Sequence, residues 1–442
     1  MGKKSTVIML ILAMLLTVSL MAGGSKDNQG GSQGGIEFSV FDMVIGGQTQ
    51  DANTVAYTTQ FQKFVANNPN VKVNRESVAH DEYETKLKTY IAAQAIPDAF
   101  MTKGTVLPGL VKDREIMEVM QVIRSISGWE QEYKPGVYED FILGGQTYAI
   151  PYQLGNNHCL YWNKDIFTEC GINEFPTTWQ GFLDAAEILK SKGYVPLVMG
   201  NKEQWPLPSL FFNTLVYRYA PVDWYYSIRD NKGAKFTDPE FIRAATTMQE
   251  LVQAGIFNTD LNSIDNNQKN SVYFNKRAAM MVDGYWAVST LDMTCPKDVL
   301  AATRIAQLPA IPKELGGTGV GNINQAASGW GFAVKSLNRG DKFTALANYL
   351  HHVCGSEYAT IIVANSGGAA ANPISVDESK LSPLYLELLR QNSECVFAPV
   401  FDVQLNAQIV DAFYSNLQDL VLGRMTPQRY AELLQVELVA TR

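Results

Sequence analysis

Strand-like and helix-like segments alternate along the first part of this chain, and this alternation limits the possible fold more than any other feature. Residues 36–40 alternate apolar and polar side chains as a strand does. An amphipathic segment around residues 61–65 precedes a second strand at 71–73. A cap residue with Glu three positions later starts a helix over residues 81–95, and residues 99–101 form a third, buried strand. This alternation predicts an α/β fold with a mainly parallel sheet.

The remainder of the chain carries further helix boundaries. Residues 177–180 have the pattern of a capping box, in which a Thr is followed by Gln. Asp238 and Gly255 bound another predicted helix, Gly355 ends a third, and Thr426 starts the last one. These local signals agree with one another, which indicates a well-specified α/β body.

Length and charge narrow the class of protein. A chain of 442 residues exceeds the usual size of one domain, about 150 residues, so we expect two large lobes or two to three domains. The net charge of −8 argues against a nucleic-acid partner, which requires a clustered basic surface. Aromatic residues make up 11% of the chain, more than a core needs, and are compatible with a cleft that stacks flat ligands.

The amino terminus has the pattern of an export signal over residues 1–23: two lysines, an apolar run and small residues. Residues 24–35 are polar and glycine-rich, which predicts a flexible tether. Residues 20–23 resemble the lead-in to a bacterial lipobox, but Gly24 stands where the lipidated Cys would be. We therefore expect a periplasmic or cell-surface protein that is soluble with Gly24 and membrane-tethered with a Cys there.

Five cysteines are spread along the chain without metal-binding spacing. Most have apolar neighbours, so we interpret them as buried small hydrophobic residues rather than a disulfide framework. A pairing between Cys159 and Cys170 stays open at this stage.

Catalytic motifs are missing from the sequence. It contains no HExxH, no GxSxG elbow and no P-loop, and residues 317–321 lack the third glycine of the dinucleotide pattern. We expect no metal, no cofactor and no catalytic residue. A glycoside hydrolase with two carboxylates stays an alternative, because such carboxylates meet only in the folded chain.

Several segments, in order, resemble the family 1 extracellular solute-binding proteins, which are sugar receptors of ABC importers and include maltose-binding protein. The core signature lies in residues 145–152, 160–167 and 176–179, and further matches span 274–286 and 329–334. The resemblance covers residues 36 to 442. It implies a type II periplasmic-binding-protein fold, with two α/β lobes joined by a hinge and a ligand cleft between them.

The same resemblance implies the organisation of the chain and its function. We expect lobe 1 to comprise residues 36–147 and 308–355, and lobe 2 residues 148–307 and 356–442. The protein is expected to act as a monomer that captures a carbohydrate, in particular an oligosaccharide, and delivers it to a membrane-embedded ABC permease. The alternative within this fold is another small polar solute, such as a polyol phosphate or an amino compound.

A sugar presents hydroxyls at its edge and C–H groups on its faces, so a cleft that fits it supplies polar groups and flat aromatic rings. Trp286, delivered by a strand to a loop, is the principal candidate for stacking, while Trp129, Trp162, Trp179 and Trp224 are interpreted as structural. Lys103 departs from the family pattern and favours a ligand with an acidic or polar substituent. The positions that match the family's ligand contacts are Gln48, His80, Thr102, Lys103, Tyr152, Asn156, Trp205, Asp283, Tyr285, Trp286 and Trp330.

Overall fold

The computed structural model describes residues 35–44, 51–336, 338–368, 370–375 and 377–441. The residues from Ile36 onward form one compact unit. The predicted export signal, nearly all of the predicted tether, and Gln48 lie outside the described residues. No helix among the described residues is long and apolar enough to cross a membrane.

The strands are short, and most of them are buried. In chain order they are β1 (Ile36–Asp42), β2 (Val71–Ser77), β3 (Ala99–Thr102), β4 (Ile142–Leu143), β5 (Gln146–Thr147), β6 (Ile150–Pro151), β7 (Gly155–Asn156), β8 (Cys159–Asn163), β9 (Val195–Val198), β10 (Ala278–Asp283), β11 (Thr303–Ala306), β12 (Ile323–Ala327), β13 (Gly331–Val334) and β14 (Val396–Ala398).

Eighteen α-helices are found among the described residues. They are α1 (Ala52–Asn67), α2 (His80–Ala92), α3 (Leu107–Lys112), α4 (Met120–Arg124), α5 (Lys164–Glu169), α6 (Trp179–Ser191), α7 (Asn213–Tyr219), α8 (Val222–Arg229), α9 (Pro239–Gln253), α10 (Asn266–Phe274), α11 (Ala287–Thr294), α12 (Lys297–Ala302), α13 (Gly340–Cys354), α14 (Ser356–Ala364), α15 (Pro383–Ser393), α16 (Phe401–Gln404), α17 (Ala407–Val421) and α18 (Pro427–Ala440).

Two separate sheets define two lobes. The sheet of the first lobe has the strand order β2-β1-β3-β13-β6, in which β1 runs parallel to β2 and β3 while β13 is antiparallel to β3. The sheet of the second lobe has the order β11-β8-β10-β9, with β8 antiparallel to both β10 and β11. This arrangement confirms the predicted two-lobed α/β architecture. The expectation of a mainly parallel sheet is wrong, because the antiparallel pairs β3–β13, β13–β6, β8–β10 and β8–β11 outnumber the parallel ones in these two sheets.

A small third sheet joins the lobes. Strand β7 pairs antiparallel with β12, which pairs parallel with β14. The chain leaves the first sheet at β6, passes through β7 and enters the second sheet at β8; it returns from β11 through β12 to β13. The paired strands β7 and β12 are therefore the hinge segments.

Helix α14 contributes to the cores of both lobes. Its residues Tyr358 and Ile362 belong to the hydrophobic core of the first lobe, whereas Ala359 and Val363 belong to a core cluster of the second. The helix also packs against α1 and α13. The predicted lobe boundaries, which assign residues after 355 to the second lobe, stay a prediction.

The predicted helix starts are close to the observed ones, but the capping atoms differ. Helix α2 starts at His80, after Ala79, which makes no side-chain cap. At α6 the Thr178 hydroxyl accepts a hydrogen bond from the Gly181 N–H at 3.1 Å, so the predicted box with Gln does not form. The helix starting after Thr426 is capped by that residue as predicted.

The cysteines and four of the tryptophans lie within the lobes. All five cysteines are free, so Cys159 and Cys170 form no disulfide; four are buried and Cys395 is partly exposed. Burial raises the pKa of the Cys159 thiol to about 12. The tryptophans interpreted as structural are buried as well, in the first-lobe core (Trp129) or the second-lobe core (Trp162, Trp179 and Trp224).

Candidate functional site

Four rings that were predicted as ligand contacts form one continuous group, which we call the aromatic cluster: His80, Trp205, Trp286 and Trp330. The His80 ring lies 5.5 Å from the Trp205 ring and 5.9 Å from the Trp330 ring, centroid to centroid. The Trp205 and Trp286 rings lie 6.1 Å apart. His80, Trp205 and Trp286 are partly exposed, whereas Trp330 is buried.

The aromatic cluster is built from both lobes. His80 is the first residue of α2, and Trp330 stands in the turn between β12 and β13. Trp205 comes just before a π-helical segment, Leu207–Phe212, and Trp286 stands between β10 and α11. Because the His80 ring of the first lobe touches the Trp205 ring of the second, the lobes are closed on each other at this point.

Gly284 allows the Trp286 indole to fold back over the end of β10. A Cβ at position 284 would lie 2.3 Å from the Trp286 ring, far inside van der Waals contact. Only glycine permits this approach at its observed distance. The orientation of Trp286 therefore depends on the residue two positions before it.

The buried pair of Asp283 and Lys269 supports the same turn from behind. Their side chains lie 2.5 Å apart and are almost fully buried. Asp283 Oδ1 also accepts the Gly284 N–H at 2.8 Å. The carboxylate thus helps to hold the turn that carries Tyr285 and Trp286, and a ligand role for Asp283 stays a prediction.

Tyr285 is confined by two glycines. Cβ atoms at Gly155 and Gly368 would lie 2.2 Å and 1.9 Å from its ring. The ring is buried, and its hydroxyl has no hydrogen-bond partner among the described residues. Its ring centroid lies 5.3 Å from that of Trp286, so Tyr285 borders the aromatic cluster and keeps a polar atom available.

Lys103 is not a free cation. Its Nζ lies 2.6 Å from Glu84 Oε1 and 4.7 Å above the centre of the Trp330 ring. Burial alone would lower the pKa of Lys103, but Glu84 and then Asp402 outweigh it and raise this pKa. Lys103 in turn holds the pKa of Glu84 down at about 2. Because the ammonium group of Lys103 is already paired with Glu84, the geometry does not support the expectation that Lys103 favours an acidic ligand.

Three further predicted contacts, Thr102, Tyr152 and Asn156, are buried. Thr102 is fully buried, and its hydroxyl donates to the Lys103 carbonyl at 3.3 Å. Tyr152 packs in the first-lobe core against Phe332. The Asn156 amide lies in the hinge, donating to Cys159 Sγ at 3.0 Å and accepting from Asn392 at 3.1 Å. A ligand role for these three residues stays a prediction.

A small cavity, which we call the junction cavity, extends from Trp330 into the contact between the lobes. Its volume is about 50 Å³. Glu84, Lys103 and Trp330 line it from the first lobe, and Asp402 of α16 and Tyr414 of α17 from the second. Sequence reasoning missed Glu84, Asp402 and Tyr414, because no local motif marks residues that meet only when the lobes close.

A wider groove of about 460 Å³ lies elsewhere, on the second lobe, where Tyr219, Arg243 and Glu250 are among its lining residues. Apart from Leu315, its lining residues lie between positions 179 and 256, within the second lobe and away from the contact between the lobes. The aromatic cluster and the junction cavity respond to closure, which makes them the better candidate for a capture site.

Comparisons with known proteins agree with this geometry. The family model described as bacterial extracellular solute-binding protein matches residues 51–336, more than half of the chain. An uncharacterized ABC transporter extracellular-binding protein of Pyrococcus horikoshii is 22% identical over 246 residues, which cover 52% of this chain and 52% of that protein. The chain thus matches about half the length of this relative.

Two solved structures have the same fold over nearly the whole chain. One comes from work on xylan utilization by Caldanaerobius polysaccharolyticus, with a TM-score of 0.81 and 21% identity over 91% of this chain and 100% of that one. The other is a chitin oligosaccharide binding protein, with a TM-score of 0.82 and 19% identity over 92% and 98%. Given the family match and its hinged two-lobed fold, the chain belongs to the bacterial extracellular solute-binding proteins.

Proposed function

We propose that the protein captures a neutral carbohydrate, in particular an oligosaccharide, between its lobes and delivers it unchanged to a membrane-embedded ABC permease. The observation that supports this proposal is the aromatic cluster, in which rings from both lobes lie within about one ring diameter of each other. Indole faces suit the C–H faces of sugars. Because the rings come from both lobes, opening of the hinge separates them and releases the ligand.

The proteins of similar fold support the ligand class. One was studied for xylan utilization and another binds chitin oligosaccharide. A family of extracellular solute-binding proteins implies an extracytoplasmic location. We extend this to a monomer released as a soluble protein with Gly24, or held at the membrane surface by a lipid if Cys stood at that position.

Thermal unfolding with a ligand panel tests the function. The panel contains xylotriose, chitotriose and maltotriose, with glycerol 3-phosphate and an amino acid representing the alternative small polar solutes. A receptor gains about 2.7 kcal/mol of stability when the ligand is present at 100 times its Kd. We expect at least one neutral oligosaccharide to raise the Tm and to be recovered intact by chromatography.

The other outcomes are equally decisive. Stabilisation by the phosphate or the amino acid alone would replace the carbohydrate with a different solute. Shortened sugars in the chromatogram would make the protein a glycoside hydrolase and overturn the receptor function. Glu84, which lines the cavity beside Trp330, is ion-paired with Lys103, which leaves it poorly suited to donate a proton to a glycosidic oxygen.

A further inference from the structure

A carboxylate oxygen without a partner lies in the junction cavity. Asp402 is only 6% exposed, and its Oδ2 accepts a hydrogen bond from the Tyr414 hydroxyl at 2.6 Å. Its Oδ1 is buried and has no hydrogen-bond partner among the residues that the structure describes. A buried acceptor without a hydrogen-bond partner costs free energy. A ligand that brings a hydrogen-bond donor to this oxygen therefore removes that cost on binding.

The opposite wall of the cavity belongs to the first lobe and is already paired. Lys103 donates to Glu84 at 2.6 Å and lies over the Trp330 ring. The charge of Lys103 also attracts the Asp402 carboxylate, but its ammonium group donates its hydrogen bond to Glu84. Among the described residues, Asp402 Oδ1 therefore stays without a direct hydrogen-bond partner.

The size of the cavity limits what can enter. About 50 Å³ is room for a few water molecules, which is too little for a sugar ring but enough for one polar substituent. Trp330 lines the cavity and also belongs to the aromatic cluster. A ring that stacks on the cluster can therefore direct a substituent at Asp402.

We propose that Asp402 accepts a hydrogen bond from a hydroxyl substituent of the bound sugar, and that its charge excludes sugars carrying a carboxylate at that substituent. This inference rests on the proposed carbohydrate function and adds to it the charge selectivity of the site. The carboxylate acts by binding the ligand and takes part in no reaction. Tyr414 orients it through the hydrogen bond to Oδ2.

Calorimetric titration of the full-length protein tests this selectivity. The probes are maltotriose and chitotriose, each paired with its counterpart in which the primary hydroxyls are oxidised to carboxylates. Asp402→Ala removes the acceptor and is expected to lower affinity for the neutral probe about 10-fold to 100-fold. Asp402→Asn keeps an acceptor without the charge, so the ratio of oxidised to neutral affinity should rise at least about 10-fold.

Asp419→Asn is the matched control. Asp419 lies on α17, as Tyr414 does, and pairs with Arg424 at 3.4 Å on the surface. The substitution removes one carboxylate charge at a surface residue that does not line the cavity, so neither affinity nor selectivity should change beyond about twofold. Tyr414→Phe, which frees Oδ2, should weaken neutral binding less than Asp402→Ala does.

The results separate this inference from the proposed function. If no oligosaccharide stabilises the unmodified protein, the carbohydrate function fails. If the protein binds a neutral probe but Asp402→Asn leaves the selectivity unchanged, the assignment of Asp402 fails alone. A folded Asp402→Ala variant with a lower Tm and unaltered affinity would show a purely structural carboxylate; if that variant does not fold, Asp402→Asn decides.

Discussion

Trp286 is partly exposed and borders both Trp205 and Tyr285. Its replacement by Ala should weaken oligosaccharide binding by about 2 kcal/mol, roughly 30-fold, because an aromatic anchor at the centre of a contact carries a large part of the binding energy. Thermal unfolding without ligand should change little. Trp224→Ala is the control, since that ring is buried in the second-lobe core and its loss should cost about 3–5 kcal/mol of stability. Equal stability losses in the two variants would make Trp286 a core residue.

His158 makes the folded state sensitive to acid. Burial lowers the pKa of this imidazole from 6.5 to about 3, and Nδ1 lies 2.6 Å from the Leu210 carbonyl oxygen, to which it donates in the neutral form. Below pH 6.5 the His158 imidazole binds a proton in the unfolded chain, whereas in the folded chain it stays neutral down to about pH 3. Stability should therefore fall by about 1.4 kcal/mol per pH unit between pH 6.5 and 3 from this group.

Nuclear magnetic resonance of ¹⁵N-labelled histidine measures this directly. The His158 ring should keep the chemical shifts of a neutral imidazole at pH 5, whereas the more accessible His352 provides a comparison in the same spectrum. A midpoint for His158 near 6.5 would contradict the expected depression of its pKa.

Single residues could be predicted where their chemistry is visible in their own neighbourhood. Trp205 is followed by Pro206, and Trp286 comes two positions after Gly284; Pro and Gly are residues typical of loops. The partners of Lys103 and Asp283 could not be predicted, because Glu84 and Lys269 are only two among many charged residues. Ion pairing depends on the distance between side chains in the folded protein, and both predicted ligand contacts form ion pairs within the protein.

The turn after β10 offers a prediction at the scale of an element. Gly284→Ala would place a methyl group against the Trp286 indole, so the ring must rotate and sugar affinity should fall about 10-fold or more. Gly109→Ala is the control, because a Cβ there meets nothing within 4 Å and the residue lies inside α3. That change should leave binding intact and stabilise the protein by up to about 1 kcal/mol. An unaffected affinity in Gly284→Ala would disprove the link between this turn and the ring.

Elements were predicted well where a local signal suffices. The start of α18 after Thr426 follows from its cap. At α6 the helix start was right but the capping box was wrong, whereas a complete box occurs unpredicted at Asp265 and Gln268 of α10. A Thr or Asp followed three residues later by Gln is therefore compatible with a complete box at one helix and with a single cap bond at another.

At the scale of the whole molecule, Gln404 connects the lobes. Its Nε2 donates to Asp140 Oδ1 of the first lobe at 2.9 Å, and its Oε1 accepts from Arg229 of the second lobe at 3.0 Å. Gln404→Ala should therefore favour the open form and lower sugar affinity about 2-fold to 10-fold. Small-angle scattering without ligand should give a larger radius of gyration.

The exposed Gln408 supplies a control for that experiment, since its side chain forms no hydrogen bond within the described chain. Gln408→Ala should match the unmodified protein in both scattering and affinity. If Gln404→Ala does so as well, the contact between Gln404 and Asp140 contributes nothing to closure.

The two-lobed architecture could be predicted because alternating strands and helices, together with the family resemblance, act over long stretches of sequence. The small third sheet, formed by β7, β12 and β14, could not be predicted from the sequence. Strand β7 has two residues and β14 has three, too few for any periodicity to show. Their pairing with β12 joins residues that are far apart in the sequence.

The state of the cysteines makes the protein suitable for a practical use. Four thiols are enclosed, and the partly exposed Cys395 has a raised pKa because of burial, which suppresses its reactivity near neutral pH. A cysteine engineered on the surface beside the cleft would consequently react first with a maleimide dye. A fluorescent sensor of ligand capture could then be made from this protein without first replacing its five cysteines.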